Sequence, residues 1–123
     1  MYKRFEDLKV WQEARIYRRK LYSLVKKFPK SEQYALSSQL WRAAISITSN
    51  IAEGHGRFHW QENMQCCRMS RGSINETLDQ LYIAKDCGYI SAGDFKNLYD
   101  EGRKIEQLLN GYIRYLAKQK LSG

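Results

Sequence analysis

Residues 91–120 read SAGDFKNLYDEGRKIEQLLNGYIRYLAKQK. Within them Phe95, Leu98, Gly102, Ile105, Leu109, Tyr112 and Leu116 return at alternating steps of three and four. That is the repeat of one helix face, since 3.6 residues make a turn and a β-strand would repeat every two. Ser91 followed by Asp94 forms a capping box at the start of this helix. Working back along the chain, the same repeat appears three more times. From about Phe58 to Cys87 it runs through Trp60, Met64, Cys67, Ile74, Leu78 and Leu81, with Gly88 past the end. Before that, Leu36, Leu40, Ala43, Ala44, Ile47 and Ile51 form a stripe, with Ser31 as its cap and Gly54 as its stop. In the first segment Trp11, Ala14, Tyr17, Leu21, Leu24, Val25 and Phe28 line up, and Pro29 ends the helix. No segment alternates as a strand would. Four helices joined by short turns predict an all-α, antiparallel up-down four-helix bundle, a single domain over residues 1–123.

Composition agrees with one packed domain. The chain has 123 residues, 43% of them hydrophobic and only one a proline, so neither disorder nor a proline-rich linker is expected. No apolar run approaches the roughly 20 residues of a membrane span, and Met1-Tyr2-Lys3-Arg4 leads into no signal-peptide core. The expectation is a soluble, cytoplasmic chain without a membrane partner. Cys66, Cys67 and Cys87 are an odd number, two of them adjacent, with no C-x-x-C spacing. They read as reduced packing residues.

The net charge of +8 is not spread evenly. Residues 1–30 hold ten basic and three acidic residues, whereas 31–56 carry a net −1, 57–90 are neutral and 91–123 carry +2. Arg15, Arg19, Lys26 and Lys30 fall on one edge of the first helix's solvent face, and Lys9, Lys20 and Lys27 on the other. Arg18 lies at the core boundary, and only Glu13 offsets the charge within the helix. Taken alone such a face reads first as an ordinary solvated surface; the alternative is the electrostatic footprint of a polyanion partner, RNA phosphates the first to consider. Arg114, Lys118 and Lys120 extend it. Tyr22, beside this face, could stack on a base or flank the core.

The second helix carries more than one stripe. Tyr34, Trp41, Ile45 and Ala52 lie away from its core side, where a monomer's surface helix would be polar; they predict a subunit contact and hence a homo-oligomer. Gln39, Arg42, Ser46, Asn50 and Glu53 form a third, polar stripe, and Arg71 interrupts the apolar stripe of the next helix. A buried polar network of Arg42, Asn50, Glu53, Arg71 and Glu76 is expected, in which Glu53 pairs with Arg42 or Arg71, because unpaired buried charge is costly. A polar site within the bundle or along an oligomer axis is the alternative.

Catalytic chemistry finds no foothold. His55 and His59 flank a glycine turn without the further ligands a metal needs, and Gly54-His55-Gly56 lacks the ending of a phosphate-binding loop. No nucleophile elbow or Glu-x-x-His pair is present. The reading is a non-enzyme with no cofactor and no metal.

Several blocks carry a family resemblance. Phe5-Glu6-Asp7-Leu8, Val10-Trp11-Gln12, Ala14, Gln39, Arg42-Ala43, Asn50-Ile51-Ala52-Glu53-Gly54, Arg57, Ser70-Arg71-Gly72-Ser73, Glu76 and Gln80-Leu81 resemble the bacterial four-helix-bundle proteins. That group is also called the S23 ribosomal or 23S rRNA intervening-sequence proteins. The resemblance spans about residues 5 to 116 and implies a bundle that assembles as a ring, typically a pentamer. It also implies relatives among the accessory variability proteins of diversity-generating retroelements, which are basic pentamers that bind a reverse transcriptase and its RNA. The alternative it offers is a protein-interaction scaffold encoded in an rRNA intervening sequence, with no direct nucleic-acid role. This chain departs from the usual pattern at Ser70, where alanine is expected, and at Cys66-Cys67, where larger apolar residues are expected.

Overall fold

A computed structural model describes residues 4–122; Met1, Tyr2 and Lys3 of the N-terminal stretch, and Gly123, lie outside them. The helices are α1 (Lys9–Val25), α2 (Leu36–Gly56), α3 (Trp60–Asp86) and α4 (Ala92–Ser122). Single 3₁₀ turns at Phe5–Asp7 and Lys30–Glu32 precede α1 and α2. There is no strand among the described residues. Each helix packs against the next, and α4 closes back on α1, so the four occupy the corners of a square. Cross-links fix the directions: Arg18 of α1 meets Thr48 of α2, Ser70 of α3 meets Ile47 of α2, and Asn63 of α3 meets Tyr112 of α4. All neighbouring pairs are antiparallel, as the short connections require.

The stripes read from sequence are the core. Ala14, Tyr17 and Leu21 of α1, Leu40, Ile47 and Ile51 of α2, Ile74 and Leu81 of α3, and Ile105, Leu109 and Leu116 of α4 are buried. Each large side chain removed from water there contributes about 1.5–3 kcal/mol before conformational entropy is counted. The α4 repeat is reproduced residue by residue, with Leu98 and Tyr112 half-buried at its margins. At its start Ser91 Oγ accepts a hydrogen bond from the Asp94 N–H at 3.1 Å.

Four boundaries differ from expectation. The first helix ends at Val25, four residues before Pro29, with Lys26 as its C-terminal cap. Ser31 caps nothing, because the chain makes a 3₁₀ turn there and α2 begins only at Leu36. The first turn of α2 is met instead by Glu32, whose Oε1 accepts from the Leu36 N–H at 3.4 Å while its Oε2 accepts from the Tyr89 hydroxyl at 2.8 Å. Gly54 does not stop α2, which continues to Gly56. It is a close-approach glycine: a Cβ there would stand 2.8 Å from Cys66 Cβ and 2.7 Å from Asn63 Oδ1 on α3. Finally, α3 starts at Trp60, leaving Phe58 in the turn with a φ of 54° and its ring 86% exposed. Trp60 too is substantially exposed, so neither aromatic belongs to the core stripe.

Candidate nucleic-acid interface

The amphipathic register of α1 determines where its charge goes. Val10, Ala14, Tyr17 and Leu21 face the core, which turns the intervening basic residues outward. Lys9, Arg15 and Arg19 on α1, Lys26 at its C-terminal cap and Lys27 in the turn after it are exposed, as is Lys30 beyond Pro29. None of these six has a carboxylate within ion-pair distance among the described residues. Lys20 differs: its Nζ lies 2.8 Å from Glu101 Oε1 on α4. Glu101 is a partial offset that sequence reading missed, being 81 residues distant with no local signal.

Aromatic rings hold part of this face in place. The Arg15 guanidinium lies 5.9 Å from the Trp11 ring centroid, and Lys26 Nζ 5.3 Å from that of Tyr22. Tyr22 packs on Trp41 of α2 at 4.6 Å while remaining 44% exposed, so it flanks the core and still presents an edge to solvent. Arg18 is half-buried and donates to Thr48 Oγ1 at 2.8 Å, a structural anchor at the boundary where it was expected. Between Arg18, Arg19, Tyr22 and Trp41 runs an open groove of about 580 Å³.

The second stripe expected on α2 is covered only in part by its own chain: Tyr34 lies in the turn before the helix, and Tyr22 packs on Trp41. Tyr34 is 90% exposed and Ile45 39% exposed, with Trp41 and Ala52 half-buried.

The expected buried polar network is not what the chain builds. Of its five members only Asn50 is buried; Arg71 is half-buried, and Arg42, Glu53 and Glu76 are exposed. Glu53 pairs neither with Arg42 nor with Arg71 but with Arg57, one turn along, at 2.7 Å. Glu76 accepts from Gln80 Nε2 at 3.2 Å. The reason is register: Glu53 lies on the outer side of α2 beside the chain reversal, where Arg57 reaches it first. Asn50 is satisfied locally, donating to the Ser46 carbonyl and hydroxyl at 2.9 Å each, and Ser73 Oγ donates to Ser46 Oγ across the α2–α3 seam. Arg71 turns to α4, where its Nη1 donates to Asn110 Oδ1 at 2.8 Å.

A polar ladder along α3 and α4 was not anticipated. Asn75 Nδ2 and Arg103 Nη1 donate to Glu106 at 2.7 and 2.9 Å, Arg103 also reaches Asn75 Oδ1, and its Nε and Nη2 meet the Tyr99 hydroxyl. Burial works to raise the Glu106 pKa, but the bonds from Asn75 and Arg103 prevail and hold the carboxyl below its ordinary range.

The family model described as 23S rRNA-intervening sequence protein matches residues 6–111. The chain belongs to that family. A crystal structure from Bacteroides thetaiotaomicron VPI-5482, a protein of unknown function from the S23 ribosomal protein family, superposes with a TM-score of 0.79 at 20% identity. The match covers 85% of this chain and 95% of that one. At that identity the likeness establishes the four-helix fold. No curated protein sequence is detectably similar.

In this member of the 23S rRNA-intervening sequence family Ser70, Cys66 and Cys67 have packing roles. Ser70 Oγ is buried and donates to the Ile47 carbonyl at 2.8 Å, fastening α3 to α2. Cys66 meets the bare face of Gly54, where a longer side chain would force the helices apart. Burial pushes the Cys67 thiol up to about 12, so it is an inert packing group. Cys87, in contrast, is exposed and packs against nothing in the core, because it caps α3 next to the turn. His55 lies within the last turn of α2, and among the described residues no three His, Cys, Asp or Glu side chains gather as a metal site. No helix among them is long and apolar enough to cross a membrane.

Proposed function

We propose that this member of the 23S rRNA-intervening sequence family is a non-enzymatic cytoplasmic scaffold that holds structured RNA against the outer face of α1, largely through phosphates. The observation that carries the reading is the row of six exposed cations without carboxylate partners, Lys9, Arg15, Arg19, Lys26, Lys27 and Lys30. Each phosphate such a face neutralises releases counterions, so affinity falls steeply with salt. Contacts of this kind position the nucleic acid without reading its bases. Lys20, already paired with Glu101, contributes less.

The exposed Tyr34 and Ile45, with half-buried Trp41 and Ala52 beside them, support assembly of several copies, with a five-membered ring the form the family resemblance implies. Repetition around such a ring multiplies the cationic face. A reverse transcriptase carrying its own template RNA is one form the partner takes, and a neighbouring reverse-transcriptase gene would favour it.

Reversing Arg15, Arg19, Lys26 and Lys27 together to Glu tests the reading. Binding to structured RNA in a filter or anisotropy assay should be abolished, with thermal stability nearly unchanged because all four side chains are exposed. Unchanged RNA affinity would reject it. A partner retained through complete nuclease digestion would point instead to an acidic protein on the same face.

A further inference from the structure

At the end of the bundle where α2 turns into α3, four aromatic side chains, together with the imidazoles of His55 and His59, line a pocket of about 300 Å³ that the basic face does not include. Phe58 and Trp60 come from the turn and the start of α3, and Tyr112 and Tyr115 from the last third of α4. The two tyrosine rings lie within 14° of parallel at 6.1 Å. Asn63, buried to 6% exposure, lends an amide to the wall and donates to the Tyr112 hydroxyl at 3.1 Å. The volume is at the lower end of small-ligand pockets, about 300–1,000 Å³.

Two independent features mark the pocket as more than a packing defect. Phe58 has the one positive φ of any non-glycine residue described, 54°, a conformation that costs an aromatic residue free energy and persists where the surroundings demand it. The strain holds an 86% exposed ring at the rim, where the core gains nothing from it. In addition, Tyr112 and Tyr115 also line a second groove, about 210 Å³, that leads past Gly111 to Lys9 at the start of α1. No carboxylate lines either hollow. On the far side Lys120, next to Gln119 of the wall, bonds the neutral Gln61 amide, at 2.6 Å, and has no carboxylate within ion-pair distance among the described residues.

We propose that the Phe58–Trp60–Tyr112–Tyr115 pocket receives one unpaired base of RNA, whose flanking phosphates pass Lys9 on the way to the α1 face. Flat rings, imidazoles included, with the amides of Asn63 and Gln119 between them suit a nucleobase, which stacks through its face and hydrogen-bonds at its edge. The cations at both ends suit the backbone. Leu116 is the one aliphatic side chain of the wall, which argues against an aliphatic peptide as occupant. The assignment rests on the RNA reading of α1 and adds to it a preference for single-stranded segments.

The test compares a short single-stranded RNA carrying one fluorescent purine analogue with a blunt duplex of equal length. The wild-type chain is set against Phe58→Gly and Trp60→Ala. Each substitution should weaken single-strand binding about tenfold, the loss of one stacked base, and abolish quenching of the analogue. Duplex affinity should hold, and Phe58→Gly should melt no lower than wild type because glycine accepts the positive φ. Undiminished single-strand affinity in both variants, with duplex still bound, overturns the pocket assignment and leaves the basic face standing. Failure of the wild-type chain to bind either RNA rejects the face and the pocket together. A shift in sedimentation of Trp60→Ala without loss of RNA affinity gives the pocket to a second copy of the chain and also overturns the proposal.

Discussion

At Gly54 and Gly102 a missing methyl group decides how closely two helices approach. A Cβ at Gly102 would stand 2.7 Å from the Tyr17 hydroxyl and 2.8 Å from Leu78 Cδ2, as tight as the contacts Gly54 would make with α3. Alanine at either position should cost about 1–3 kcal/mol, the usual penalty of overpacking, measured as a lower urea midpoint. Gly72 is the internal control: it is also helical, yet a Cβ there meets nothing within 4 Å. Gly72→Ala should therefore stabilise by about 0.5–1 kcal/mol through helix propensity. Glu106 makes a second residue-level prediction. Its carboxyl titrates lower in the folded chain than in the unfolded one, so its contribution is present above the unfolded value of about 4.3 and is lost as pH falls through the folded value. Glu106→Gln should destabilise by about 1 kcal/mol at neutral pH, with the gap to wild type closing in acid denaturation profiles.

Between elements, Glu32 joins two connections that are far apart in sequence. One carboxylate oxygen caps α2 at Leu36 and the other holds Tyr89, beside the α3–α4 turn. Glu32→Ala should lower stability by about 1 kcal/mol. Tyr89→Phe should cost less, and the double variant less than the sum, in equilibrium unfolding. Nothing nearby in sequence announces this bridge, whereas the helices themselves were legible. The α4 repeat named its buried residues in advance because burial follows the 3.6-residue period directly. What periodicity cannot distinguish is why a glycine or serine is where it is. Gly54 has the spacing of a stop and Ser31 the identity of a cap, but each role is decided by what a neighbouring segment brings to it. The same limit applies to the polar stripe of α2. Its spacing was real, but Glu53 had a choice of three arginines, and only the geometry of the chain reversal picks Arg57. The α3–α4 ladder of Asn75, Arg103 and Glu106 escaped notice because its members are polar residues on ordinary solvent-facing positions until the two helices meet. The basic face was legible for the opposite reason: charge on a solvent side needs no partner to be recognised.

For the whole molecule, the apolar stripe of α2 carries the next expectation. Ile45→Lys places a charge on a 39% exposed site without disturbing the core. Sedimentation should show the variant falling towards the 14.6 kDa monomer with its helical circular dichroism retained, and wild type as a larger assembly. A wild-type monomer at micromolar concentration would refute the assembly. The square of helices is also unequal. Its thinnest seam is between α1 and α4, where open grooves of about 400 and 340 Å³ run beside Lys20 and Glu101. The helix with the greatest net positive charge, α1, therefore lies on the loosest seam of the bundle, and repulsion among its own cations loosens it further. Its amides should exchange with deuterium by local opening well before those of α2 and α3, whose exchange waits for global unfolding. A polyanion lying across α1 would bind the closed form and retard that exchange selectively. Loose attachment thus makes this helix a built-in reporter, registering occupancy of its face as a slowing of its own opening.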